Sequence, residues 1–315
     1  MGGLYKKVLT VILVTGIVTG IYLFLKIYKN TLFALPANTN IPQNNVVDVP
    51  SEPVPISQPV IPEPETIEYY LYTVSETTPL LQLKKDLGPE KFAIVLALNH
   101  VDAKFVGKDS KLIVPTKFPD NIQNFLLDYS PFPKKNDLLI NVPKIILISQ
   151  KFQYLAVYQN GILVYSAPVS TGKKSTQTPN GLFTANWKAK KSTSTVDSSW
   201  ILPWVVNLDN FDGISMHQYE LPGYPASHSC IRMREIDAMW VYDFVDQWIL
   251  SDDGKDVAVH GTPVIIFDNY EYGKLRPWFN LVEDPTYLNI NEEYMNNVLQ
   301  PFVDKVLDYS NKMVN

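Results

Sequence analysis

The stretch that decides the reading is Met216-His217, nine further residues, then Ser227-His228-Ser229-Cys230-Ile231-Arg232-Met233. It holds two of the chain's four histidines and its single cysteine. A thiolate is a strong nucleophile, but a free thiol of pKa near ~8.5 is mostly protonated at neutral pH. It needs a base or a cationic neighbour, and His217 and His228 are the nearby candidates. A helical pattern opens just after Met233 and offers the positive end of its dipole. Backbone N–H groups around Ser229 and Cys230 are candidates for an oxyanion hole in acyl transfer. Two plainer readings stand beside this one. A lone cysteine is usually an inert buried hydrophobe, and His260 could complete a zinc site with His217, His228 and Cys230.

Outward from the motif, the chain from Lys144 on reads as strands. Ile145 and Leu147 alternate, as do Gln153, Leu155 and Val157. Asn160-Gly161 is a two-residue hairpin signal, with Ile162 to Val169 returning. Thr178-Pro179-Asn180-Gly181 is a second turn, and Trp200 to Val206 a further apolar run. Between Met233 and Leu250, the residues Ile236, Met239, Trp240, Phe244, Val245 and Trp248 follow helical spacing and predict an amphipathic helix. Val264 to Phe267 is a last strand. In the tail, Tyr294, Val298, Phe302, Val306 and Tyr309 make a helical stripe expected to pack on the domain.

The chain has 315 residues and a formal charge of −5. That length gives a prior of about two domains. An acidic chain without a long basic stripe is a poor nucleic-acid partner. One cysteine excludes an intrachain disulfide, a CxxC redox pair and a four-cysteine zinc site. Val8 to Leu25 is uncharged and apolar, with Lys6 and Lys7 before it and Lys26 and Lys29 after it. It is long enough for a transmembrane helix, and an uncleaved anchor is expected. From Pro36 to Pro64 lie eight of the 24 prolines and no glycine, a composition of extended spacers. Tyr72-Thr73-Val74, the leucines 80, 83 and 87, the run Phe92 to Leu98, and Lys111 to Pro115 predict strand, helix, helix, strand.

That last segment resembles the LysM module, through Tyr72-Thr73-Val74, Leu98-Asn99, and Gly107 with Leu112-Ile113-Val114-Pro115. The resemblance implies binding to glycans of the peptidoglycan type. Glu76-Thr77-Thr78 stands where such modules carry Gly-Asp-Thr at their glycan contacts. The motif around Cys230 resembles the signature of the L,D-transpeptidase catalytic domain, the YkuD family. Val169-Ser170-Thr171-Gly172, Thr178 to Gly181, Pro203-Trp204 and Gly261 to Val264 fit that family in the right order.

The family resemblance implies a mainly β, α+β fold: a β-rich mixed-sheet sandwich, here preceded by a small βααβ module and an N-terminal transmembrane helix. The expected divisions are an anchor at 1–30, a linker at 31–68, the LysM-like module at 69–117, a connector at 118–143, the catalytic domain at 144–268 and a C-terminal extension at 269–315. The resemblance further implies that Cys230 is the nucleophile and His217 the general base, oriented by the Gln218 carbonyl. His228 lines the oxyanion side, while Ser227, Ser229 and Arg232 shape the oxyanion and substrate side. Ser229 replaces the family's glycine and would be strained by about 1 kcal/mol if φ is positive there. Gln218 likewise stands where glycine is common. No cofactor or metal is expected. Peptidoglycan stem peptides are the expected donor and acceptor, no nucleic acid partner is expected, and the catalytic domain is expected outside the cytoplasmic membrane. A hydrolase using water as acceptor and an inactive wall-binding protein are the rival expectations.

Overall fold

The computed structural model describes residues 65–194 and 197–314. The expected anchor at Val8 to Leu25 and the proline-rich stretch to Pro64 lie outside the described residues. Among the described residues no helix is long and apolar enough to cross a membrane.

The strands are β1 (Tyr69–Thr73), β2 (Lys111–Pro115), β3 (Ile145–Ser149), β4 (Tyr154–Gln159), β5 (Ile162–Pro168), β6 (Gly181–Thr184), β7 (Lys188–Thr193), β8 (Ile201–Asp209), β9 (Ile214–Gln218), β10 (Ile231–Met233), β11 (Ile249–Leu250), β12 (Val257–Val259) and β13 (Pro263–Phe267). Five form one sheet in the order β5-β4-β3-β13-β6, and four form a second in the order β10-β9-β8-β7. Both sheets are mixed, since β3–β13 and β9–β10 are parallel and their other pairings antiparallel. The β4–β5 hairpin turns at Asn160 and Gly161 with φ of 48° and 77°, the left-handed geometry that an Asn-Gly pair tolerates.

Strand β3 reads Ile-Ile-Leu-Ile-Ser and is buried throughout. The period of two explains this. Ile146 and Ile148 enter a core shared with Val206 and Leu208 of β8, Met216 of β9 and Ile231 of β10. Ile145 and Leu147 enter a second core with Tyr69, Ile113, Trp278, Met295 and Leu299. The five-stranded sheet is therefore the middle layer, covered on one face by the four-stranded sheet and on the other by the N-terminal segment and the tail. Helices Glu292–Leu299 and Val303–Val314 supply part of that cover.

Residues 69–115 run strand, helix, helix, strand. The helical stretch Leu80–Leu98 is broken at Gly88, which has φ 76° and precedes Pro89. β1 and β2 pair antiparallel. β2 is buried on both faces: Leu112 and Val114 join Leu83, Phe92 and Val95, while Ile113 joins the core of the main body. Asn99 is buried and grips the strand, donating to the Ile113 carbonyl and accepting from the Ile113 N–H, each at 2.8 Å.

The helix expected between Met233 and Leu250 is shorter, Glu235–Phe244, and buries only part of its expected stripe: Trp240 and Phe244 pack on the inter-sheet core, as does Val245 just beyond it. Asp237, Ala238 and Val241 are buried, whereas Ile236 and Met239 are exposed. The cause is polar. Asp237 accepts from Arg234 Nε at 2.6 Å and Nη2 at 2.7 Å, and from the Tyr165 hydroxyl at 2.7 Å. That buried network draws the Asp237 side of the helix inward beside Trp240 and Phe244.

Candidate active site

The alternation of β9 and β10 places the site. Ile214 and Met216 point into the inter-sheet core, as do Ile231 and Met233, so Ser215, His217 and Arg232 take the opposite face. The parallel register sets His217 directly beside Arg232. Two motif halves separated in sequence thus become neighbouring strands, and the loop 227–230 lifts Cys230 to their edge. A cleft of about 30 Å³ is lined by His217, His228, Cys230, Arg232, Tyr219 and Trp200, among others. A larger cavity of about 490 Å³, between Tyr69, Tyr129, Pro131 and Leu288, contains none of the candidate residues.

His217 is buried, and its Nδ1 lies 2.9 Å from the Gln218 carbonyl oxygen. A carbonyl can only accept, so Nδ1 carries the proton and the lone pair is left on Nε2. Burial, aided by the Arg232 charge, pushes the imidazole down to about 4 against the opposing Gln218 bond. The ring is therefore neutral at physiological pH and able to take a proton.

His228 differs. Lys173 Nζ lies 2.9 Å from its Nε2, and an ammonium can only donate. The Nε2 lone pair is occupied and Nδ1 carries the hydrogen, buried without a partner. Burial, then Lys173 and Arg232, lower its pKa. Of the two histidines the motif offers, His217 is the one with a free basic nitrogen.

Cys230 Sγ donates to the Gly213 carbonyl at 3.4 Å. Burial pushes the thiol above its ordinary value, against the Ser215 backbone N–H and the Arg232 charge, which favour the thiolate. This corrects the expectation that a histidine and a helix end hold the thiol low. Both flanking imidazoles are neutral, so neither supplies a cation.

The segment 170–178 clamps the cysteine loop. Ser227 N–H donates to Thr171 O at 3.0 Å and Ser229 N–H to Thr176 O at 3.1 Å, while Thr178 Oγ1 donates to Ser229 O at 2.8 Å. The Ser227 hydroxyl donates to the Cys230 carbonyl. Ser227 is largely buried, lines the cleft and holds the loop. Ser229 has φ 75°, the strained geometry its replacement of glycine implied. Its N–H is already spent on Thr176, so it does not serve as the expected oxyanion donor. The Cys230 N–H donates to none of the carbonyls that hold this loop.

Arg232 lies 4.5 Å from the centre of the Tyr219 ring. Lys173, Tyr219 and Trp200 are site residues the sequence reading missed. Lys173 follows Thr171-Gly172 directly, yet its reach to His228 comes only from the fold. His260 stacks on Tyr309 at 3.8 Å, and among the described residues no group of three or more His, Cys, Asp or Glu side chains is arranged to hold a metal.

The family match falls on this arrangement. Residues 143–266 carry the YkuD L,D-transpeptidase catalytic domain. The YkuD domain runs from just before β3 into β13 and so contains the cleft, the clamp and both motif halves. A search of the curated proteins returned no match. Solved structures similar to part of the chain include an L,D-transpeptidase from Stackebrandtia nassauensis, with 21% identity, TM-score 0.34, and coverage of 41% of this chain and 57% of that one. Another, from Mycobacterium smegmatis, has 20% identity, TM-score 0.32, and coverage of 40% and 59%. A third, from Mycobacterium tuberculosis H37Rv, has 22% identity, TM-score 0.33, and coverage of 40% and 58%. These alignments span less than two thirds of either chain.

Proposed function

We propose that this chain is a cysteine-dependent L,D-transpeptidase acting on peptidoglycan stem peptides through a thioester. The observation that carries the reading is the His217 ring, fixed by the Gln218 carbonyl with its Nε2 lone pair free, in one cleft with the chain's only thiol. In the first step Sγ bonds to the donor carbonyl carbon while His217 Nε2 takes the thiol proton. The C–N bond then breaks, His217 returns that proton to the leaving amine, and the terminal D-amino acid departs. In the second step an acceptor amine attacks the thioester and gives a proton to His217, the C–S bond breaks, and His217 passes that proton to the departing sulfur, restoring the thiol. Because thiol and imidazole are both neutral at rest, proton transfer accompanies attack instead of preceding it.

The Cys230 N–H remains to meet the oxyanion. Arg232, planar and free of a carboxylate partner among the described residues, suits a substrate carboxylate. Its register beside His217 would place that carboxylate next to the reacting bond.

Anchoring through Val8 to Leu25, placement of the YkuD domain outside the cytoplasmic membrane, and LysM-type glycan binding by residues 69–117 belong to the same reading. Their support is the apolar N-terminal stretch, the site of the substrate, and the βααβ order with Asn99 at its turn. Incubation with soluble muropeptides tests the function. A donor-peptide mass added to Cys230, followed by a crosslinked product, supports it. Free tetrapeptide trimmed to tripeptide without any crosslink would assign water as the acceptor, and no adduct would refute the enzyme.

A further inference from the structure

The chain has three arginines, and they divide by partner. Arg234 is paired with buried Asp237. Arg232 and Arg276 have no carboxylate at ion-pair distance among the described residues. Each instead lies over a tyrosine of the loop joining His217 to Cys230: Arg232 at 4.5 Å from Tyr219, Arg276 at 5.8 Å from Tyr224. Gly223 makes the second approach feasible, since a Cβ there would sit 2.8 Å from Arg276 Nη1 and its φ is +86°.

Arg276 borders a cavity of about 350 Å³ outside the catalytic cleft. Its walls come from three parts of the chain: Val101, Phe105 and Lys111 of the βααβ segment, Pro222 of the catalytic loop, and Lys274 and Arg276 of the extension. Lys111, Lys274 and Arg276 face it with Asp109 as the single carboxylate, in a chain of formal charge −5. Three cations against one carboxylate, on an acidic protein, favour an anionic ligand. A guanidinium held on an aromatic face still presents its planar fork to a carboxylate.

We propose that this cavity is a second carboxylate-binding subsite, which holds an acidic peptide through Arg276. In the proposed transfer reaction that peptide is the acceptor strand, an assignment that rests on the function proposed above. The recognition chemistry stands without it.

The test uses the full-length chain with Cys230 alkylated by iodoacetamide, which blocks the reaction but not the cavity. The probe is a tetrapeptide of L-Ala, D-Glu, L-Lys and D-Ala, as the free acid and as the fully amidated form, titrated calorimetrically. The free acid should bind and the amide should not. Arg276→Gln should weaken binding about tenfold or more, while Arg232→Gln leaves the Arg276-dependent phase in place. Equal binding of acid and amide, or unchanged binding in Arg276→Gln, overturns the proposal. So does a neutral N-acetylglucosamine oligomer whose binding disappears in Arg276→Gln. If that variant fails to fold, Arg276→Lys and Lys274→Ala serve, and unaltered affinity in both overturns it. Thioester formation is measured separately on unalkylated protein; its failure would remove the transpeptidase reading and leave the subsite standing.

Discussion

Asp102 and Leu221 are tied by two hydrogen bonds. The Asp102 N–H donates to the Leu221 carbonyl at 2.8 Å, and the Leu221 N–H donates to Asp102 Oδ2 at 2.9 Å. Val101 bridges Pro222 beside them, and Lys104 pairs with Glu220. The turn that ends the second helix of the βααβ segment therefore holds the loop between His217 and Cys230. Replacing Asp102 by Ala strands the Leu221 N–H, which is buried, and should cost about 2 kcal/mol of stability. Urea unfolding measures it, and an unshifted midpoint would show that the tie is idle.

Removal of His217 should slow acylation of Cys230 by about 10²–10⁴, the usual worth of a general base. His228→Ala should cost much less, since its Nε2 already accepts from Lys173. Lys173→Met frees that lone pair, so the His228 titration followed by NMR should move up towards 6.5, the ordinary value. Should His228→Ala abolish acylation and His217→Ala spare it, the roles are reversed.

Acid should weaken the fold through two buried histidines. Burial lowers His217 to about 4 and His100 to about 3, from an ordinary 6.5. Between those values the unfolded chain binds the extra protons, so stability is present above pH 6.5 and lost as pH falls towards 4 and then 3. Each costs on the order of a few kcal/mol of stability once it is protonated in the folded state. Melting temperatures across this range should fall. In His100→Asn, which keeps a side chain tolerant of the φ of 52°, the fall should be smaller.

Alkylation of Cys230 reads the thiol directly. Because burial raises it, the rate should climb through a midpoint above the ordinary cysteine value. A midpoint below that value would mean that a cation outweighs burial at the sulfur.

Ser229→Gly should relieve the strain of φ 75° and stabilise the protein by up to about 1 kcal/mol, with acylation kept or raised. A marked loss of acylation would give the serine hydroxyl a role of its own.

What was legible in the sequence followed local pattern. The alternation of β3 and β4, the Asn160-Gly161 hairpin and the two strands of the βααβ segment are all written within a few residues. The pairing of His217 with Cys230 was legible only as a motif, since nothing local brings residues that far apart into one cleft. Three features were not legible. The burial of Asp237 on helix Glu235–Phe244 depends on Tyr165 of β5, together with Arg234 at the start of the same helix. The loss of Ser229 as an oxyanion donor depends on Thr176, and the occupation of His228 depends on Lys173. Each includes a polar contact over long sequence separation, where hydrophobic period carries no information.

The parallel pairing of β3 with β13 has a consequence during synthesis. Ile146 registers with Val264, so the middle layer is missing its fourth strand until the ribosome has passed the whole catalytic motif. His217, Cys230 and their clamp emerge before the sheet beneath them can close. Non-local closure of this kind is slow and leaves apolar edges bare. A nascent chain halted after Met233 would hold every reactive group and the whole four-stranded sheet, but the sheet packed against it would lack the strand joining β3 to β6, so the support of the nucleophile is completed only at the end of translation of its own domain.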